Sequence, residues 1–253
     1  MDRRNFLKKT AATGATALLL PEIVKAAMPG SESASAAKRY YLSKSDVVLF
    51  QGDSITDAGR NRTDESIPNS PSQLGTGYAL FTAASILANH PDKEPNVYNR
   101  GISGNKVFQL AERWEKDCLA LKPDILSILI GVNDFWHTKT GGYTGTVETY
   151  ATDYRNLILK TKSALPNVKI VILEPFIIPG GKALNNTWEN AFALYQIAAK
   201  KVATDNALIF VPLQSVFNEA LKHAPATYWG PDGVHPSMAG AQLMAQAWLK
   251  TVL

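Results

Sequence analysis

Short apolar runs alternate with longer stretches of helical periodicity along most of this chain. Residues 46–52, built on Val47-Val48-Leu49-Phe50, are apolar and β-branched without polar alternation, the pattern of a strand buried on both faces. Similar runs at 125–130, 169–173 and 208–211 predict further strands, and residues 96–99 read as another short one. Between them, residues 77–90 carry Tyr78, Phe81, Ala84, Ile86 and Leu87 at helical spacing and stop before Pro91. Segments 107–121, 147–165 and 188–204 repeat that periodicity, a short helix is expected at 216–222, and Ser237 is placed to cap a last helix at 237–253.

Strands alternating with helices predict an α/β domain, a three-layer α/β/α sandwich around a five-stranded parallel sheet joined by right-handed crossovers. No internal repeat or interior linker divides it, so residues 37–253 read as one domain. In such sheets a site lies beyond the carboxyl ends of the strands.

The first 36 residues read differently. Arg3-Arg4-Asn5-Phe6-Leu7-Lys8 resembles a twin-arginine export motif, and the apolar stretch from Ala11 to Leu20 reads as the core of that signal. It falls short of the roughly 20 apolar residues needed to span a bilayer. Cleavage is expected after Ala36 (Ala34-Ser35-Ala36) or after Ala26 (Val24-Lys25-Ala26). Export to a bacterial periplasm or beyond is therefore expected, with residues 1–36 outside the folded domain. The signal holds no cysteine, so it offers no attachment point for a lipid anchor.

Composition excludes several classes. Hydrophobic content of 45% and charged content of 19% are those of a folded protein. The formal charge of +4 is partly local, since residues 37–253 hold 21 basic against 19 acidic side chains. With no basic stripe interleaved with aromatics, nucleic acid is not an expected partner. Cys118 is the only cysteine, which rules out an internal disulfide or a thiolate metal cluster. It shares helical spacing with Leu110 and Trp114 and reads as a packing residue. No glycine-rich phosphate loop is present. Asp53, Asp57, Asp134, Asp232 and His235 lack the spacing of a dedicated metal loop, so neither a metal nor another cofactor is expected.

Two short motifs carry the chemistry. Gly52-Asp53-Ser54 follows the first strand, and Asp232-Gly233-Val234-His235 lies just before the last helix. A serine hydroxyl becomes a useful nucleophile when a base takes its proton and a third group holds that base. Taken singly, Ser54 could cap a helix and Asp232 could form a turn. Taken together, Ser54, His235 and Asp232 are the parts of a nucleophilic hydrolase.

Four blocks then resemble the GDSL, or SGNH, hydrolase family in family order: residues 50–57 (Phe-Gln-Gly-Asp-Ser-Ile-Thr-Asp), 99–104 (Asn-Arg-Gly-Ile-Ser-Gly), 131–134 (Gly-Val-Asn-Asp) and 232–236 (Asp-Gly-Val-His-Pro). One departure is Ile55 where the family name has leucine. The resemblance implies a flavodoxin-like SGNH architecture, with Ser54 as nucleophile, His235 as base and Asp232 as its orienting acid. It also implies an oxyanion hole made by the backbone N–H groups of Ser54 and Gly104 and the side-chain amide of Asn133.

The first and last blocks look most like the carbohydrate acetylesterase members, which implies an acetylated glycan such as xylan as substrate. Trp136 and His137 after the third block, and Tyr228 and Trp229 before the last, could wall a sugar cleft or pack loops against the core. Two other readings remain. A lysophospholipase or thioesterase-like acylhydrolase would need an apolar groove, whereas residues 60–75 are polar and rich in Pro, Ser and Asn. A non-catalytic glycan-binding protein would be expected to lack the serine or the histidine. Oligomeric state is not legible.

Overall fold

The computed structural model describes residues 19–28, 40–184 and 188–253. Five parallel strands, β1 (Val47–Gly52), β2 (Asn96–Asn99), β3 (Ile125–Leu129), β4 (Lys169–Leu173) and β5 (Ile209–Val211), form one sheet in the order β2-β1-β3-β4-β5. That order is the flavodoxin-like one, with the chain reversing direction across the sheet between β1 and β3. In register, Gly52 of β1 pairs with Leu129 of β3, and Leu129 with Leu173 of β4. The carboxyl ends of the three central strands are therefore level, and the loops leaving them share one rim. β3 is buried along its whole length, as its unbroken apolar run requires.

The helices, in chain order, are α1 (Leu19–Ala27), the single turns α2 (Ser54–Asp57) and α3 (Pro71–Leu74), α4 (Tyr78–Asn89), α5 (Val107–Asp117), α6 (Val132–Thr140), α7 (Val147–Ala164), α8 (Trp188–Asp205), α9 (Leu213–Ala220), the turn α10 (Ala226–Trp229) and α11 (Met238–Val252). α4, α11, α9 and α1 touch one another in one layer, while α5, α7 and α8 form the other. The three-layer sandwich expected from the alternation is thus present.

Local differences have local causes. The helix expected over 107–121 stops at Asp117 and continues as a 3-10 turn at Leu119–Leu121, because Lys122 enters the left-handed region at φ 48° ahead of Pro123. The helix expected at 216–222 begins earlier, at Leu213, directly after Pro212. No helix was expected at 132–140, and α6 starts there directly after Gly131, within the third sequence block. Cys118, buried where α5 ends, packs in the core, and burial pushes its thiol up.

The twin-arginine motif and the Ala34–Ala36 cleavage position lie outside the described residues. Residues 19–27, expected outside the domain, form α1, which packs on α9 and α11. Its Ile23 and Val24 are each only 1% exposed, and Met28 just beyond is buried too. The physical reason is amphipathicity: Glu22 and Lys25 face solvent while Ile23, Val24 and Ala27 turn inward. The alternative cleavage position at Ala26 falls inside this packed helix.

Two buried indole hydrogen bonds fasten the helices, one to the sheet and one between neighbours in a single layer. Trp248 of α11 donates from Nε1 to Ser127 Oγ of β3 at 2.9 Å, and Trp114 of α5 donates to Thr161 Oγ1 of α7 at 2.9 Å. Removing one partner of such a bond leaves a buried donor without an acceptor, which costs about 1–3 kcal/mol. Ser127→Ala is accordingly expected to lower unfolding free energy by about that amount in urea titration. An unchanged transition midpoint would show that the indole is satisfied in another way.

Candidate active site

β1 ends in Gly52-Asp53, and Asp53 rather than Ser54 caps the turn α2: its Oδ1 accepts the Ile55 N–H at 3.0 Å. The capping role that Ser54 could have taken is filled by its neighbour. Ser54 Oγ instead lies 2.8 Å from His235 Nε2. His235 Nδ1 lies 2.6 Å from Asp232 Oδ2, while Asp232 Oδ1 accepts the backbone N–H groups of Val234 and His235 at 2.9 and 2.7 Å. One carboxylate therefore holds both the ring and the backbone of the histidine. Burial alone would raise the Asp232 carboxyl, but the hydrogen bonds from the His235 ring and the two N–H groups outweigh it and hold it below the usual carboxylate range.

The loop carrying Asp232 and His235 is fixed from both sides. The segment after β4 donates to it through Ile178 N–H to Gly233 O (2.7 Å), Lys182 N–H to Pro231 O (3.1 Å) and Ala183 N–H to Asp232 O (2.9 Å). That segment is held in turn by Gln214, whose amide accepts from Ile177 N–H and donates to Ile177 O. On the other side Ser237 accepts from Gly240 N–H and caps α11, as its position in the sequence suggested.

The block at 99–104 forms the loop after β2. Asn99 Oδ1 accepts the Gly101 N–H at 2.8 Å, and its Nδ2 donates to Thr56 O and Leu74 O. Asp57 Oδ2 accepts the Ser103 N–H at 2.9 Å. Arg60 Nε donates to Gly101 O at 2.8 Å, and Arg113 bonds Asn105 Oδ1 and Arg100 O. Two glycines make this course possible. A Cβ on Gly101 would lie 2.4 Å from the Asp57 backbone nitrogen, so the loop could not approach α2, and Gly104 turns at φ +83°.

Asn133 stands in the first turn of α6 after β3, and its Nδ2 donates to Asn105 O at 3.2 Å. An amide nitrogen has two hydrogens, so one remains after this bond fixes the side chain.

The aromatic residues expected to wall a sugar cleft divide. Tyr228 is 57% exposed. Trp136 is half-buried, edge-on to Trp188 with centroids 5.2 Å apart. Trp229 does not offer a ring face to solvent: it is 4% exposed, and its indole donates to Ala220 O and Ala224 O. Its role is to anchor α10 beneath the histidine loop, so of the two meanings open to it, packing holds. His137 is half-buried, and burial followed by the nearby Lys106 charge lowers its imidazole.

Sequence reasoning gave the acids Asp53, Asp57 and Asp134 no role beyond a rejected metal set. Among the described residues no group of three His, Cys, Asp or Glu side chains is arranged to hold a metal. Asp134 Oδ1 accepts the Val107 N–H at 3.2 Å, at the start of α5. The other carboxyl oxygens of Asp53 and Asp134 are buried without a hydrogen-bond partner among the described residues. Burial pushes Asp53 up to about 7, against its bond from Ile55. Burial and then the Asp53 charge push Asp134 up to about 7 as well.

An unfolded chain titrates these carboxyls near 4. Between about pH 4 and about 7 the folded protein then binds more protons than the unfolded one, and these groups lower stability as pH rises through that window. Asp134→Asn keeps the acceptor for Val107 and removes the titration. The variant should gain stability relative to wild type between pH 4.5 and 7.5 in urea titrations; stability curves running parallel across that range would contradict a proton held at this site.

The sequence matches the GDSL-like lipase/acylhydrolase family over residues 50–243. It is 38% identical over 212 residues to an acetylxylan esterase of Geobacillus stearothermophilus, covering 81% of this chain and 93% of that protein. A crystal structure of an acetylxylan esterase from that organism matches with a TM-score of 0.75 at 35% identity, over 84% of this chain and 96% of the other. A crystal structure of a putative GDSL-like lipase from Parabacteroides merdae matches with a TM-score of 0.83 at 53% identity, over 84% of this chain and 98% of the other. With the fold, the ordered sequence blocks and these relatives in agreement, the chain belongs to the GDSL-like lipase/acylhydrolase family and is a carboxylic ester hydrolase.

Proposed function

We propose that this protein is a serine esterase that removes acetyl groups from xylan-type oligosaccharides. The observation that carries the reading is the 2.8 Å contact between Ser54 Oγ and His235 Nε2, backed by Asp232 on the far ring nitrogen. In this reading His235 takes the hydroxyl proton as Ser54 Oγ attacks the ester carbonyl carbon, and then returns it to the departing sugar oxygen. Water, deprotonated by the same imidazole, attacks the acetyl-Ser54 ester; acetate leaves and Ser54 recovers its proton. Asp232 holds the ring and balances its positive charge while it carries the proton. The backbone N–H groups of Ser54 and Gly104 and the free hydrogen of Asn133 Nδ2 stabilise the oxyanion of each tetrahedral intermediate.

The substrate assignment is supported by the similarity to the acetylxylan esterase of Geobacillus stearothermophilus. Catalytic mutants of that enzyme replace a serine, an aspartate and a histidine three residues after the aspartate, the spacing of Asp232 and His235 here. Export by the twin-arginine motif belongs to the same proposal, because acetylated glycans are met outside the cytoplasm. Tyr228 and Trp136 are proposed as sugar-facing aromatics.

Acetate release from acetylated xylooligosaccharides, followed with purified protein, tests the reading. Ser54→Ala should abolish it with the melting curve unchanged; turnover retained by a contaminant-free Ser54→Ala preparation would rule out the nucleophile. Asn133→Ala should lower kcat by about 10²–10³-fold, and an effect on KM alone would remove Asn133 from the oxyanion hole.

A further inference from the structure

Asp232 and His235 lie between α10 and α11, where residues 230–237 form neither helix nor strand. Three backbone bonds reach that stretch from a distant part of the chain, and their donors Ile178, Lys182 and Ala183 all lie on the equally irregular segment after β4. We infer that Gln214 is the positioning residue for His235: its side-chain amide fixes the segment that holds the histidine loop, and through it the alignment of the imidazole on Ser54 Oγ. This rests on the proposed catalytic roles of Ser54 and His235 and adds to them the group that sets their alignment.

A segment without a strand ladder needs another source of order, and the Gln214 amide supplies it. Ile177 directly precedes the donor Ile178. Gln214 Oε1 accepts the Ile177 N–H at 3.0 Å, and its Nε2 donates to Ile177 O at 2.9 Å, so both backbone groups are paired as a neighbouring strand would pair them. An amide oxygen accepts twice and an amide nitrogen donates twice. The second acceptor site takes Gln196 Nε2 of α8 at 2.7 Å, and the second hydrogen goes to Asn218 Oδ1, one turn along α9, at 2.9 Å. With all four directions used, the amide cannot rotate without losing bonds. Gln196 Nε2 also donates to Pro175 O at 3.1 Å, which fixes the segment two residues earlier.

Gln214 is itself tied to the sheet. Its backbone N–H donates to Glu174 Oε2 at 2.9 Å, and Glu174, the residue after β4, donates its own N–H to Val211 O of β5 at 3.0 Å. At the other end the contact with the histidine loop is close: a Cβ on Gly181 would lie 2.2 Å from Gly233 Cα, so the two segments cannot shift independently. Positional order therefore passes from the ends of β4 and β5 through Gln214 to Ile177 and Ile178, and from there to Gly233 and His235. Among the described residues Gln214 makes no hydrogen bond to Ser54, Asp232 or His235, so it acts only through this backbone.

The test separates alignment from stability. Gln214→Met keeps the length of the side chain and removes all four amide bonds. Competent sites in wild type and variant are titrated to completion with diethyl 4-nitrophenyl phosphate, and hydrolysis of 4-nitrophenyl acetate is expressed per titrated site. Misplacement of a reacting group by about 1 Å costs on the order of 10²-fold in rate, so kcat per site should fall by roughly 10- to 100-fold with KM unchanged. Should Gln214→Met fail to fold, Gln196→Met, which removes the bonds to Gln214 Oε1 and Pro175 O, makes the same reading, with kcat per site falling and KM unchanged. A wild-type kcat per site in the variant, with only the melting temperature or the number of titrated sites reduced, would overturn the inference and leave Gln214 a support of the fold. A raised KM with kcat per site unchanged would also overturn it, assigning the segment to substrate binding. Failure of the underlying reading is distinguishable, since it appears as hydrolysis that survives Ser54→Ala.

Discussion

A single hydrogen bond sets the terms for the rest of this molecule: Ser54 Oγ to His235 Nε2, 2.8 Å long, between residues 181 positions apart. A serine at the end of the first strand meets a histidine ahead of the last helix only if everything between them returns to one rim. The parallel sheet achieves that by bringing the carboxyl ends of β1, β3 and β4 level. The histidine loop is then fixed by backbone bonds from the segment after β4, so its position follows that of the sheet and not the preference of a free loop. A one-residue slip in β4 register would carry Ile178 and Ala183 away from Gly233 and Asp232.

The loop after β2 is held by polar bonds more than by apolar packing. Asn99, Asp57, Arg60 and Arg113 each bond to its backbone or side chains, which fixes Gly104 within a segment that has little hydrophobic surface of its own. In the proposed mechanism this loop and Asn133 supply preorganised donors, which are effective because they do not reorient as charge develops. The cost is visible beneath them. Asp53 and Asp134 each leave a carboxyl oxygen without a partner among the described residues, an arrangement that lowers stability at the site while fixing the starts of α2 and α5.

Much of this was readable in advance, for reasons that separate the legible from the illegible. The strands were legible where an apolar run is buried on both faces, as at Ile125–Leu129, whose one polar residue is the small Ser127. Ser54 and His235 could be singled out because each sits in a short polar block at a strand end or before the last helix, whereas Gly104 and Asn133 came only from the resemblance of their blocks to the family. The single turns α2, α3 and α10 escaped notice because four residues are too few to show a period. α6 escaped because its first turn is also a sequence block, and its polar residues Asn133 and Asp134 resemble a turn. The packing of α1 was hidden by the same apolar character that marks an export signal. Trp229 was ambiguous because an indole serves equally as a sugar platform or as a buried anchor, and only the acceptors Ala220 O and Ala224 O distinguish the two.

The most direct test of the account is covalent. Diethyl 4-nitrophenyl phosphate, incubated with the wild-type protein, should release one equivalent of 4-nitrophenolate and leave a diethyl phosphoryl group on one residue. Peptide mass spectrometry should find that group on Ser54, and His235→Ala should slow the labelling sharply with Ser54 still present. An unmodified Ser54 under conditions where ester hydrolysis is complete, or an adduct at any other residue, would contradict the claim that this hydroxyl is the nucleophile.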